Sequence, residues 1–163
     1  MTPATVTELA LFAAVVLLLG AAAVRDLRDY LIPDTIPLAL AALFGLHVAL
    51  GGVDWTGALL VAAIVFAVGA VMFARGWLGG GDVKLLTALS LWAGPALLAP
   101  MILIVALTGG LHGLLILAQQ HRARRLAPAD GIAGAAVPSR IPYAVPVLAG
   151  GLYVAAMLAR GVI

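Results

Sequence analysis

The 163-residue sequence has no cysteine, a single lysine and a single glutamate, and little charge of either sign. Without cysteine the chain can form no disulfide and no zinc–thiolate site, and it offers no thiol nucleophile. Charged residues make up only 10% of it, too few to cover the exterior of a soluble fold of this size. The sequence therefore excludes an ordinary soluble domain, and it lacks the alternating pattern that an outer-membrane barrel requires.

Long apolar runs are what the sequence has in place of charge. Hydrophobic residues make up 64% of the chain, and its mean hydropathy is +1.19. These runs predict an all-α polytopic membrane protein, with residues 1–163 forming a single domain of about six transmembrane helices. Gly94-Pro95 and Pro100 are expected to separate the fourth span from the fifth. The predicted spans are Leu9–Val24, Ile36–Leu50, Trp55–Ala74, Asp82–Leu98, Met101–Ala118 and Ile141–Leu158.

The basic residues predict the orientation of these spans. Seven of the nine fall in the first, third and fifth connections, Lys84 lies in the first turn of the span after the third, and only Arg160 falls on the other side. Because basic loops stay in the cytoplasm, both termini are expected outside the cytoplasmic (inner) membrane. The net charge of +2 then reflects topology and contact with membrane lipid, and it does not indicate nucleic acid. The eight on the cytoplasmic side are Arg25, Arg28, Arg75, Lys84, Arg122, Arg124, Arg125 and Arg140.

The stretch Gly79–Lys84 places three glycines, a carboxylate and the only lysine between two apolar runs. Glycines allow tight turns and close backbone approach. An ionisable residue at the edge of a membrane span is costly, and it indicates a functional site. The predicted topology brings Asp26 to the same membrane face as Asp82, so the two carboxylates are candidates for a pair.

Two close carboxylates in a low-dielectric site tend to share one proton. The ionised member can take a proton from water, while the protonated member polarises a peptide carbonyl. This is aspartic-protease chemistry, which needs neither metal nor organic cofactor. The dipole of the fourth helix and the charge of Lys84 predict that Asp82 is the ionised member and Asp26 the protonated one. Asp34 is expected to cap the second helix, and Asp82 is suited to cap the fourth.

Three stretches carry a family resemblance. Gly79–Lys84 resembles the Gly-x-Gly-Asp-x-Lys motif of the type IV prepilin leader peptidases, which are membrane aspartic proteases. Asp26, followed by Ile32-Pro33-Asp34, resembles the family's other motif, an aspartate with Ile-Pro-Asn or Ile-Pro-Asp after it. Ile141–Ala144 is similar to the family's Ile-Pro-Tyr-Gly, with alanine in the last place. The resemblance follows the whole chain in order and spacing.

The resemblance implies an endopeptidase whose catalytic pair is Asp26 and Asp82. Its substrates would be type IV (Flp-like) prepilins or pseudopilins, cut at the cytoplasmic membrane face to remove the basic leader, with the pilus assembly machinery as a further partner. No cofactor or metal is implied. The paired cysteines of the longer, N-methylating members have no counterpart. The length is similar to that of the short tight-adherence peptidases and of the archaeal preflagellin peptidases, and we expect a member of the first type. The supporting and substrate-approach residues would be Pro33, Asp34, Gly79, Gly80, Gly81 and Lys84.

A different class of function also fits the same residues. A non-enzymatic transport or scaffold protein of a pilus or secretion system would use Asp26 and Asp82 as proton-relay or ion-pair sites, and it would cleave no leader. Lys84 either positions Asp82 or the substrate, or extends to the membrane surface. His47 and His112 are interpreted as packing or hydrogen-bonding residues, because neither has a spaced metal-ligand partner.

Overall fold

The computed structural model describes residues 3–51, 55–126 and 143–161, and these residues contain five α-helices and no strand. The all-α prediction is therefore confirmed. Three helices contain segments long and apolar enough to cross a membrane, while the second and fifth helices have 15 and 16 residues. The count of six spans and the sides of the termini stay predictions. The helices are α1 (Pro3–Asp29), α2 (Thr35–Ala49), α3 (Trp55–Ala74), α4 (Gly80–Leu126) and α5 (Ala144–Ala159).

Helix α4 is interrupted at Gly94, whose φ of 55° and ψ of −171° are not helical. Beyond this point the chain runs antiparallel to α5. Gly109 lies against Pro146 near the start of α5, and Met101 lies against Gly150, one turn further along. Side chains other than glycine rarely adopt the backbone conformation of Gly94, so this residue permits the break.

The first half of α4, residues 80–93, runs in the opposite direction, parallel to α5. Asp82 interacts with Asp26, which is hydrogen-bonded to Ala144 at the start of α5. Leu89, two turns later in α4, lies against Gly151, two turns later in α5. The two halves of α4 are therefore antiparallel. The break lies at Gly94, as predicted, but the expectation that Pro100 belongs to the break and that the fourth span continues to Leu98 is wrong, because Pro95, Leu98 and Pro100 are already in the second half of the helix.

The core lies where α4 packs against α2, α3 and α5, and where α1 packs against α2 and α5. Glycines bring several of these helices close together, as is common in membranes. A Cβ on Gly69 would lie 2.8 Å from Val83 Cγ1, and one on Gly151 would collide with Leu19. Many large apolar side chains remain exposed, among them Leu17 at 74%, which is expected of a lipid-facing surface.

Two helices are longer than the apolar pattern predicts. Helix α1 does not end at Val24 but continues to Asp29, because no glycine or proline interrupts residues 25–29. Asp26 therefore lies on a helix, with its side chain turned inward. Helix α4 likewise continues to Leu126, beyond the expected end at Ala118. The remainder of the predicted basic loop, with Arg140, and the stretch Ile141-Pro142 lie outside the described residues.

An aromatic cluster fills the end of the bundle opposite Asp26. His47 stacks on Trp92 with ring centroids 5.5 Å apart, and Phe12 and Phe44 meet Trp92 edge-on. The indole Nε1–H of Trp92 donates a hydrogen bond to the carbonyl of Leu40 at 3.0 Å. These contacts confirm the packing role that was predicted for His47.

Candidate active site

A cleft of about 570 Å³ opens where α1 ends and α4 begins. Asp26 and Asp82 both line it, together with Asp34 and glycines 79–81. Two different helices thus bring the two carboxylates to one cavity. Much of the remaining wall is aromatic: Tyr30, Phe73, Trp77 and Tyr143.

Asp26 is fixed by the start of α5. The residue is only 6% exposed, and its Oδ2 accepts a hydrogen bond from the backbone N–H of Ala144 at 2.9 Å. Ala144 is the first residue of α5, and the first N–H groups of a helix have no partner within the helix. The carboxylate therefore satisfies an otherwise open donor, and the positive end of the helix dipole stabilises its negative charge.

Asp82 is the third residue of α4, so the prediction that it begins the helix as its cap is wrong by a few positions. Its carboxylate accepts a hydrogen bond from the backbone N–H of Gly79, which precedes the helix. The other oxygen is different: Oδ1 is buried and has no hydrogen-bond partner among the described residues. Asp26 and Asp82 line the same cleft and interact electrostatically, which makes them candidates for a pair that shares a proton.

The three glycines meet different neighbours. A Cβ on Gly79 would lie 2.7 Å from Asp82 Oδ2, whereas one on Gly80 would lie 3.4 Å from the ring of Phe73. A Cβ on Gly81 would lie 3.1 Å from the Cβ of Ile32. Gly79 therefore leaves room for the Asp82 carboxylate, and Gly81 lets α4 begin directly against the segment that follows α1.

Lys84 and Asp34 form an ion pair that joins the starts of α4 and α2. Lys84 Nζ donates to both oxygens of Asp34, at 2.8 Å each. Asp34 occupies the N-cap position of α2, as predicted, but its side chain makes no cap hydrogen bond and is turned to Lys84 instead. Of the predicted supporting residues, Lys84 and Pro33 do not line the cleft, although the Pro33 carbonyl accepts the N–H of Ile36 at 3.1 Å.

We expect the Lys84–Asp34 pair to act on cleavage more than on stability. The two side chains are 50% and 74% exposed, and exposed pairs contribute about 0–1 kcal/mol. Lys84→Asp places a second negative charge beside Asp34 and should lower the cleavage rate several-fold. The rate of Lys84→Met should lie between those of wild type and Lys84→Asp. The double exchange Asp34→Lys/Lys84→Asp should restore most of the rate. A double variant as slow as Lys84→Asp alone would show that the cleavage rate does not depend on the ion pair between these two positions.

The described residues offer no metal centre, since no group of three or more His, Asp or Glu side chains lies close enough to hold an ion. The cleft itself presents two carboxylates, a backbone donor to each of them, and an aromatic wall.

The sequence of this region also matches a known family. A sequence model of the type IV leader peptidase family matches residues 13–114, a range that includes both Asp26 and Asp82. The chain belongs to the type IV leader peptidase family. No curated protein and no solved structure matches the chain significantly. Membership makes the chain a peptidase of the leader-peptidase type, with a peptide as its substrate.

Several residues that line or support the cleft of this leader peptidase were not predicted from its sequence. The Ile-Pro-Tyr stretch indicated the region of Tyr143, but nothing in the sequence showed that the N–H of Ala144 binds Asp26. The aromatic wall was missed because Phe73 and Trp77 look like residues at the end of a span. Trp77 is covered on one side by the guanidinium of Arg75, 5.3 Å from the ring centroid.

Tyr30 ends α1 in a left-handed conformation, with φ of 50°, where side chains other than Gly, Asn and Asp are uncommon. Tyr30→Asn and Tyr30→Val both remove the ring, but asparagine tolerates this backbone and a β-branched residue does not. We expect the valine variant to be less stable by about 1 kcal/mol. Thermal unfolding of the two purified variants measures the difference. Equal midpoints would show that the backbone at Tyr30 is not strained.

Proposed function

We propose that the protein is a membrane-embedded aspartic endopeptidase that removes the basic leader from type IV (Flp-like) prepilins or pseudopilins. The observation that carries the proposal is the pair Asp26 and Asp82, which line one cleft from two helices in a chain of the leader peptidase family. In this proposal the two aspartates are the catalytic pair.

The reaction needs one ionised and one protonated carboxyl. The carboxylate takes a proton from water as the water oxygen bonds to the carbonyl carbon, and the carboxylic acid gives its proton to the carbonyl oxygen. When the tetrahedral intermediate collapses, the base returns its proton to the leaving nitrogen and the C–N bond breaks. The hydroxyl proton goes back to the acid, so the pair ends in its starting state.

The charge of the cleft supports a basic substrate. Its ionisable acids are Asp26, Asp34 and Asp82, and none of the described residues that line it is basic. A leader rich in lysine or arginine is attracted to such a wall, although Lys84 neutralises part of the charge of Asp34. The distribution of basic residues supports a cleft that faces the cytoplasm, in a six-span protein of the inner membrane with both termini outside. Pilus assembly machinery is the proposed further partner.

Co-expression with a prepilin tests the proposal. The substrate is a protein with a basic leader followed by an apolar helix, preferably one encoded near this peptidase. We expect a shorter pilin on a gel when the peptidase is present and the full-length form with an empty vector. A transport or scaffold protein that uses the same aspartates would leave the prepilin at full length, and that result would favour the non-enzymatic alternative.

A further inference from the structure

His112 lies on the C-terminal half of α4, at the same end of the bundle as Asp26. It follows Gly109 by three residues, so the two share one face of the helix. Gly109 packs against Pro146, since a Cβ added at position 109 would lie only 3.5 Å from the proline ring. Pro146 comes two residues after Ala144, the hydrogen-bond partner of Asp26. The face of α4 that carries His112 is therefore packed against the start of α5.

His112 is unusual because one of its ring nitrogens, Nε2, is buried without a hydrogen-bond partner among the described residues. In the described part of the chain, two buried side-chain polar atoms lack a hydrogen-bond partner, Asp82 Oδ1 and His112 Nε2. A buried, unsatisfied polar atom costs stability, so its presence in a folded protein calls for an explanation. Both residues interact electrostatically with Asp26. The two unsatisfied atoms thus belong to residues that both interact with one carboxylate, that of Asp26.

His112 is not one of the residues that line the cleft, whereas Asp26 is. Asp26 therefore faces the cleft, and it interacts with two groups that do not line the cleft, the imidazole of His112 and the N–H of Ala144. His47 provides a contrast, because its burial is explained by stacking on Trp92 at the far end of the bundle.

We propose that His112 is a positioning residue of the active site, which acts through Asp26 and keeps that carboxylate ionised and oriented toward the cleft. The proposal rests on the proposed function, because it makes Asp26 the base and Asp82 the acid. Asp82 suits the second role: one oxygen accepts the N–H of Gly79, and the unpartnered Oδ1 is free to donate a proton to a peptide carbonyl. This reverses the assignment that the helix dipole and Lys84 suggested, since Lys84 is bound to Asp34.

The pH profile of cleavage reports on this role. Among the described residues, His112 and Asp82 interact electrostatically with Asp26, and Tyr143 at the start of α5 lines the same cleft as Asp26. A positive or donating imidazole favours the charged form of Asp26. Without it, Asp26 takes up a proton at higher pH, so the acid limb of the activity profile should move to higher pH.

The experiment uses the full chain, purified in detergent, with a peptide that contains a basic leader and the start of an apolar helix. His112→Leu should lower kcat roughly 10-fold to 10²-fold with little change in KM, and should shift the acid limb upward. His112→Gln keeps the size and a donor group, and it should lie between wild type and His112→Leu. His47→Leu is the matched control: it should lower the unfolding midpoint and leave the shape of the profile unchanged.

The outcomes separate this inference from the proposed function. If wild type does not cleave, the proposed function is wrong. If wild type cleaves and His112→Leu has the same kcat, or a lower kcat with an unshifted profile, the positioning role is overturned. Should His112→Leu not fold, the same comparison is made with His112→Gln.

Discussion

Asp82→Asn and Asp26→Asn are each expected to lower the rate of leader cleavage by roughly 10²-fold to 10⁴-fold, the usual contribution of a general acid or base. Asparagine keeps the shape of the side chain, but it can neither take a proton from water nor return one. At position 26 the amide oxygen can still accept the N–H of Ala144, so α5 should stay in place. The loss is therefore expected in the rate and not in the amount of folded protein.

Asp29→Asn is the matched control for the two active-site variants. Asp29 lies on the same helix as Asp26, but its side chain is exposed and does not line the cleft. We expect a wild-type rate for this variant. The double variant Asp26→Asn/Asp82→Asn should be about as slow as either single variant, because the effects of mutating residues that act as a unit do not add. A single variant that cleaves at the wild-type rate would remove that aspartate from the catalytic pair.

Gly79→Ala is the second change for which we expect a large effect on activity. A Cβ at position 79 would lie 2.7 Å from Asp82 Oδ2, which is too close for both atoms to stay where they are. The carboxylate is the far end of a flexible side chain, so it can move at little cost in stability. Since a displacement of about 1 Å in a catalytic group can cost 10²-fold, we expect a 10-fold to 10²-fold slower enzyme with an unfolding midpoint near that of wild type.

Alanine variants of two other glycines serve as controls for this prediction. A Cβ on Gly45 in α2 would meet nothing within 4 Å, so Gly45→Ala should leave cleavage unchanged and raise stability by up to about 1 kcal/mol. Gly81→Ala should lower stability instead, because its Cβ would lie 3.1 Å from the Cβ of Ile32, an atom that cannot move without the backbone. If Gly79→Ala cleaves as fast as Gly45→Ala, Gly79 is not needed to place Asp82.

Much of this fold follows from the sequence because apolar runs and glycines are local signals. Helix α3 was predicted with the bounds Trp55–Ala74 that the structure has. A break in the long fourth segment was predicted at Gly94-Pro95 and Pro100, and the structure has it at Gly94. The two aspartates were identified because carboxylates at the ends of apolar spans are costly and therefore need a reason. The two aspartates line one cleft because α1 ends, and α4 begins, at the same end of the bundle.

The contacts that complete the site are not local, and the sequence did not predict them. The N–H of Ala144 binds a carboxylate 118 residues away, and Lys84 binds Asp34 across 50 residues. A backbone donor has no signature in a sequence, and a single lysine gives no sign of which of several acids it will bind. His112 was interpreted as a packing or hydrogen-bonding residue, and its proposed role at Asp26 could not be predicted from the sequence, since its position relative to Asp26 depends on the reversal of α4.

The most direct test of the account is the mass of the products that the purified protein makes from a peptide containing a basic leader and the start of an apolar helix. We expect wild type to give two fragments, cut once before the apolar segment, whose masses sum to that of the substrate plus one water. Asp82→Asn and Asp26→Asn, at equal concentration, should leave the peptide whole. An uncut peptide with folded wild type, or the same two fragments from either variant, would contradict a hydrolase built on Asp26 and Asp82.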